Sequence, residues 1–234
     1  MSNVRKSLKF IPYGDRALLI NILEEDLLIA NEKVIQLTHL IQKSAFSGIT
    51  EIVPATNSIT IVFDTFNVSV DHLVENIKSL LIKTLDTVSS NAKLIELPIC
   101  YDPEFALDMD IVCDQTGLSS DKLIETHLGT TFRVMMTGFM PGFFYLGQLP
   151  ENIDIERKPS PRKKIRSGSV GLAGRQTGIY STDSPGGWQI IGKSINLLDQ
   201  TLKKKLQINL GDQVKFKRVS QSELQNWFKN DSDS

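Results

Sequence analysis

The sequence predicts an α+β protein in two parts, a small two-layer ββαββα domain over residues 1–90 and a β-barrel or sandwich domain over residues 94–234. Three observations carry this reading. The first part holds two apolar stripes of helical period, each preceded by a pair of strand-like runs. The second part is rich in turns: only two of the 15 glycines, Gly14 and Gly48, precede residue 117, whereas ten fall between Gly138 and Gly192. A length of 234 residues suits two unequal domains better than one small or two large ones.

The elements follow in order. Leu8–Pro12 and Ala17–Ile22 read as strands joined by the turn Tyr13-Gly14-Asp15. Leu27, Ala30, Val34, Leu37 and Ile41 then recur at spacings of three and four, one face of a helix that ends before Gly48. Ile49–Val53 and Ile59–Phe63 form a second strand pair around Ala55-Thr56-Asn57. A second helix starts at the cap Ser69, has Asp71 near its positive end, and buries Val70, Leu73, Val74, Ile77, Leu80 and Leu81. The polar segment Ser89 to Lys93 reads as the linker.

Beyond it, Leu94–Cys100 reads as a strand, Phe105–Cys113 and Asp121–His127 as helices, the latter capped by Ser120, and Thr130–Met136 as a strand. Short β segments follow at Ser169–Ala173, Trp188–Ile191 and Gln213–Lys217. Ser220 and Glu223 form a capping box ahead of Leu224, Trp227 and Phe228, and the tail after Lys229 is expected to fray.

Composition narrows the function classes. Hydrophobic residues at 41% and charged residues at 23% support an ordinary packed core. With 26 Lys plus Arg against 27 Asp plus Glu, the net charge of -1 gives no electrostatic footprint for nucleic acid or an anionic membrane. No apolar run approaches the ~20 residues of a membrane span, and the N-terminus lacks a signal-peptide core, so a cytoplasmic protein is expected. Cys100 and Cys113, with no CxxC spacing, read as buried free thiols. Histidine is confined to His39, His72 and His127, and no metal-ligand set is recognised.

Three segments have the residue types for chemistry. Gly138 to Gly147 interleaves Phe139, Phe143, Phe144 and Tyr145 with Pro141, Gly142 and the flanking glycines, a tight connection whose bare backbone also suits a binding loop. Arg157 to Arg166 holds six basic residues and no acid; its default is a solvated loop, but the forks of Arg157 and Arg162 are suited to two-point capture of a carboxylate or phosphate. The acid-only stretch Asp102, Glu104, Asp108, Asp110 and Asp114 offsets that charge. The third segment presents Ser169, Gln176, Thr177, Tyr180, Ser184, Gly186, Gly187 and Trp188, polar and aromatic groups for a small substrate or for turn hydrogen bonds. It is read neither as a phosphate-binding loop nor as a dinucleotide fingerprint. His127, at a helix end before Gly129, favours the helix dipole, with an acid or base role as the alternative.

Taken together, Gly138-Phe-Met-Pro-Gly-Phe-Phe-Tyr-Leu-Gly147, Pro161-Arg162, Gly168-Ser-Val170, Gln176-Thr-Gly-Ile-Tyr180 and Ser184-Pro-Gly-Gly-Trp188 closely resemble the family of 5-oxoprolinase B subunits. That family is also described as allophanate hydrolase subunit 1 and includes an inhibitor of a sporulation histidine kinase. Ser181 stands where the family often has proline, and Arg166-Ser167 replaces a frequent Pro-Ala. The resemblance implies a small α/β domain followed by a cyclophilin-like, carboxyltransferase-type β-barrel. It also implies an enzyme that acts with the A and C subunits of 5-oxoprolinase, opens the lactam of 5-oxoproline to L-glutamate, and uses ATP as cosubstrate bound largely by a partner. On this reading Arg157 and Arg162 hold an anion, backbone N–H groups at Gly186 and Gly187 stabilise an oxyanion, and Gln176, Tyr180 and Ser184 fix the substrate. The alternatives are a regulatory protein that binds a histidine kinase through Phe139, Phe143 and Tyr145, and an allophanate hydrolase component.

Overall fold

The computed structural model describes residues 8–84, 92–199 and 206–227. The chain divides into two units, Met1–Asn91 and Ala92–Ser234. In the first unit the element order is β1 (Leu8–Pro12), β2 (Ala17–Ile22), α1 (Leu27–Ser44), β3 (Ile49–Pro54), β4 (Ser58–Phe63) and α2 (Val70–Thr84). The four strands form an antiparallel sheet in the order β1-β2-β4-β3.

Alternation along β2 and β4 sends Leu18, Ile20, Ile22, Ile59, Ile61 and Phe63 into one core, where they meet Ala30, Val34, Leu37 and Ile41 of α1 and Leu73, Ile77 and Leu81 of α2. Asp26 starts α1 by accepting the N–H groups of Leu28 and Ile29 at 2.8 and 3.1 Å, and the Ser69 hydroxyl accepts the His72 N–H at 3.3 Å. His39 and His72 are exposed.

The second unit contains β5 (Leu94–Ile99), α3 (Met109–Thr116), α4 (Ser120–Gly129), β6 (Thr131–Thr137), β7 (Phe144–Gly147), β8 (Arg162–Ile165), β9 (Ser169–Ala173), β10 (Gln176–Ile179), β11 (Ser184–Gly186), β12 (Gln189–Lys193), β13 (Gln213–Arg218) and α5 (Gln221–Asn226). Seven strands form one sheet in the order β12-β9-β10-β7-β6-β13-β5. Its pairs are antiparallel except β13 with β5.

The two edges of this sheet meet: the Cys100 N–H donates to the Lys193 carbonyl and the Lys193 N–H to the Cys100 carbonyl, both at 2.8 Å. The sheet is therefore curled into a partly closed barrel. Gly192 permits the meeting, because a Cβ there would lie 2.7 Å from the Cys100 carbonyl oxygen. The interior is filled by Phe132, Val134, Leu146, Leu172, Ile179, Val214 and Phe216, and Val112, Leu123 and Ile124 of the two helices join the same core. β8 and β11 pair separately as a small antiparallel sheet.

Several local expectations change. The helix expected from Phe105 begins at Met109, since Phe105 and Ala106 form a turn donating to the Asp102 carbonyl and Asp108 leaves helical geometry with ψ 15°. The cap of α4 is Ser119 rather than Ser120, its hydroxyl accepting the Lys122 N–H at 3.3 Å. β7, β8, β10 and β11 arise where glycine, proline and charge masked any alternation. Both cysteines are free; Cys100 is buried but Cys113 is only half-buried. The capping box at α5 forms, with the Ser220 N–H donating to Glu223 at 2.7 Å. Phe228, the tail after Lys229 and most of the expected linker lie outside the described residues.

Candidate functional site

The sheet has a second apolar face. Along β10, Thr177 and Ile179 point into the barrel interior, so Gly178 faces the opposite way, and Gly171 of β9 pairs beside it. A Cβ on Gly178 would lie 2.8 Å from Phe143 Cζ, and one on Gly171 would lie 3.0 Å from Trp188 Cβ. The two glycines leave room for an aromatic layer outside the barrel. There Phe143 meets Tyr145, Tyr180 and Trp188 edge-on, at centroid distances of 4.8, 5.4 and 5.5 Å. Phe139 adds a fourth edge contact to Phe143 at 5.6 Å while staying 62% exposed. β11 covers Tyr180, whose hydroxyl would be 2.4 Å from a Gly186 Cβ.

Gly178→Ala is expected to lower the stability of the second unit by about 1–3 kcal/mol through overpacking against Phe143. Chemical denaturation followed by tryptophan fluorescence measures it. An unchanged midpoint would show that this aromatic layer is loosely packed.

The loop from Gly138 is held by side-chain and backbone bonds. The Ser181 hydroxyl donates to the Pro141 carbonyl at 2.6 Å, so the serine that replaces the common proline secures the loop. Gly142 has φ +74° and faces Leu198, whose Cδ2 would be 2.6 Å from a Cβ.

Beside the aromatic layer runs the basic segment, and its organiser is Asp108. The side chain of Asp108 is fully buried. Its Oδ2 accepts from Arg162 Nη1 at 2.6 Å and from the Ile190 N–H at 2.7 Å; its Oδ1 accepts from Arg162 Nη2 at 2.7 Å and from Lys158 Nζ at 3.0 Å. Four donors satisfy the carboxylate. Burial, the largest single influence, pushes the Asp108 carboxyl upward, but Arg162, the Ile190 N–H and Lys158 together hold it below the usual range. Arg162 and Lys158 keep 26% and 19% of their side chains exposed, so two cations share one carboxylate at the rim.

Arg157 differs from both. It is exposed and has no ion-pair partner among the described residues. Its Cβ lies 4.0 Å from the point a Gly187 Cβ would occupy, next to the Lys158 carbonyl and Pro161. The Gly187 carbonyl accepts the Lys158 N–H at 2.7 Å, which fixes this crossing of two chain segments. Burial pushes the Tyr145 and Tyr180 phenols up, with the charge of Arg157 opposing the shift in both and a backbone hydrogen bond at Trp188 also opposing it in Tyr180. Both stay protonated donors at neutral pH.

The structure thus brings together Phe139, Phe143, Tyr145, Tyr180, Gly186, Gly187 and Trp188 with Arg157 and Arg162. Thr177 and His127 lie elsewhere, inside the barrel. His127 Nε2 meets Thr177 Oγ1 at 3.1 Å, Nδ1 meets the Tyr101 hydroxyl at 2.7 Å, and the ring stacks on Phe216 at 4.8 Å. Thr177 Oγ1 donates to the Gly171 carbonyl at 3.3 Å, so Nε2–H donates to Thr177 and Nδ1 accepts from Tyr101. Desolvation lowers the His127 pKa to about 3, leaving a neutral imidazole without access to solvent. Gln176 lies at the start of β10 with Nε2 4.0 Å from Met135 Sδ, and the buried Ser184 hydroxyl has no hydrogen-bond partner.

Two features escaped sequence reading. Asp108 sat within an acidic run, and its partners are 50 and 54 residues away, beyond any local pattern. The other is Gly187-Trp-Gln-Ile-Ile-Gly-Lys-Ser194, which has the G-x-x-x-x-G-K-S spacing of a phosphate loop. That string is strand β12 and its flanks, with no helix after it among the described residues, and Lys193 Nζ lies 5.0 Å from the Phe105 ring centroid. A nucleotide cradle needs a strand, a loop of converging N–H groups and a helix, so the spacing here carries no phosphate site. Among the described residues, no group of three or more His, Cys, Asp or Glu is placed to hold a metal ion, and no helix is long and apolar enough to cross a membrane.

A curled sheet whose outer face bears an aromatic layer and a basic rim is the arrangement of a carboxyltransferase-type domain. The family model for the carboxyltransferase domain, subdomain C and D, matches residues 8–207. The fold alone is shared with the urea carboxylase of Kluyveromyces lactis, at TM-score 0.75 and 20% identity over 95% of this chain and 23% of that one. Closer in sequence is the B subunit of 5-oxoprolinase from Bacillus subtilis (strain 168), 35% identical over 226 residues that cover 90% of this chain and 92% of that protein. Its namesake from Haemophilus influenzae is 37% identical over 176 residues, 75% of this chain and 82% of that protein. The chain belongs to the family of 5-oxoprolinase B subunits, within the carboxyltransferase subdomain C and D group.

Proposed function

We propose that the chain is the B component of an ATP-dependent assembly that opens the lactam of 5-oxoproline to L-glutamate together with the A and C subunits. The observation that carries this is the aromatic face bordered by Arg157, on a chain that aligns with a 5-oxoprolinase B subunit over nearly its whole length. A lactam carbonyl is a poor electrophile. Transfer of the ATP γ-phosphoryl group to its oxygen releases ADP and activates the carbon; water adds, the ring C–N bond breaks to a free amine, and a second water releases phosphate and L-glutamate.

This chain's share is binding and orientation. Arg157 faces the substrate carboxylate, Tyr145 and Trp188 supply an apolar wall, and the backbone at Gly186 and Gly187 borders the reacting carbonyl. With the stretch of phosphate-loop spacing taken up by β12, nucleotide binding falls to a partner. The exposed Phe139 ring leaves an apolar edge for that partner to cover, so the isolated chain is expected to turn over no substrate.

Glutamate release from 5-oxoproline plus ATP, measured with the three subunits together and with each omitted, tests the reading. Formation only in the full mixture is expected. Equal formation by the other two subunits without this chain would overturn it.

A further inference from the structure

We infer that Asp108 is the positioning residue of this site and that it divides the labour of the two arginines: it fixes Arg162 and Lys158 in place, leaving Arg157 as the guanidinium that contacts the carboxylate of the substrate. This rests on the proposed function and narrows it. Both terminal nitrogens of Arg162 are spent on Asp108, at 2.6 and 2.7 Å, so Arg162 has no free fork for a planar anion. Lys158 Nζ is shared between Asp108 at 3.0 Å and Gln189 Oε1 at 3.5 Å. Gln189 in turn donates from Nε2 to the Glu156 carbonyl at 3.1 Å, so β12 also secures the chain just before Arg157.

The charge count agrees with the geometry. One carboxylate against Arg162 and Lys158 leaves one residual positive charge at the rim, next to Arg157. An incoming monoanion meets one free two-point fork backed by that charge. The Ile190 backbone bonds hold the arrangement to β12, with the Asp108 N–H donating to the Ile190 carbonyl at 2.8 Å and the Ile190 N–H returning to Oδ2 at 2.7 Å. The anion site is thereby preorganised on a strand of the barrel instead of a free loop.

The test has two arms, both with the full chain. In the first, thermal unfolding of Asp108→Asn, Arg162→Gln and the double variant is compared, with Arg157→Gln as a fourth protein. Strong non-additivity between the first two and an unchanged midpoint for Arg157→Gln are expected; additive losses would overturn the Asp108 role. In the second, binding of 5-oxoproline, 2-pyrrolidinone and inorganic phosphate is followed through the Trp188 indole N–H signal, assigned with Trp227→Phe, and KM and kcat are measured in the three-subunit mixture.

Arg157→Gln should weaken 5-oxoproline binding, and raise its KM, at least tenfold with kcat within about threefold, while Arg162→Lys changes KM by less than about threefold. Pyrrolidinone, which lacks the carboxylate, should not bind. Phosphate binding more tightly than 5-oxoproline, or no response of Trp188 to 5-oxoproline in the unsubstituted chain, would overturn the carboxylate assignment. A mixture that makes no glutamate while the thermal coupling and Arg157-dependent binding persist would remove the proposed reaction and leave this inference standing.

Discussion

Replacing Asp108 with alanine is expected to destabilise the second unit by about 3 kcal/mol, the low end of the 3–5 kcal/mol lost when a buried ion pair loses one member. The low end applies because Arg162 and Lys158 retain 26% and 19% exposure and can turn partly to water. The loss also reaches the backbone, since the Ile190 N–H is left without its carboxylate acceptor. The same pairing sets an acid limit. Asp108 titrates below its ordinary value in the folded chain, so its contribution is fully present above the unfolded carboxyl pKa and disappears as pH falls through the folded one. Urea unfolding of wild type and Asp108→Ala at neutral pH measures the first effect; equal midpoints would mean that the ion cluster contributes nothing net.

Acidification from pH 7 to 4 is expected to cost the second unit about 3 kcal/mol through His127 alone. Its folded pKa of about 3 lies below the ordinary 6.5 because the ring is completely desolvated. The unfolded chain therefore takes up a proton that the folded chain refuses. Stability from this source is complete above pH 6.5 and declines as pH falls from there toward 3. His127→Phe keeps the ring stacking on Phe216 but removes the titration, so its unfolding free energy should be flatter over that interval. It should also be lower by about 1–3 kcal/mol at pH 7, because the Tyr101 and Thr177 hydroxyls lose their partner. Wild-type stability that stays constant between pH 7 and 4 would contradict a neutral, buried imidazole.

Local periodicity made much of the first unit legible. The α1 stripe Ala30, Val34, Leu37 and Ile41 is buried, and the alternation in β2 and β4 faces it, because burial on one side of a regular element writes directly into the sequence. The second unit was legible where its turns demand glycine and illegible where its strands are buried on both faces. β9 shows no alternation, since Val170 and Leu172 fill the barrel while Gly171 and Ala173 sit beneath the aromatic layer.

The candidate site divides the same way. Aromatic and glycine residues within a short span announced the layer around Phe143 and Trp188. His127 and Thr177 looked available for chemistry because their types are polar, yet each is saturated inside the core. Arg162 looked equivalent to Arg157 until the position of Asp108, a contact over 54 residues, distinguished them. Such pairings depend on tertiary closure, and no window of sequence contains them.

If the aromatic and basic outer face of the second unit is where substrate and partner subunits meet, hydrogen exchange tests it most directly, comparing this chain alone with the chain mixed with the A and C subunits plus 5-oxoproline. New amide protection is expected to concentrate in residues 138–147, 157–166 and 184–188. Protection confined to the first unit, with those three segments exchanging as they do in the free chain, would contradict that placement.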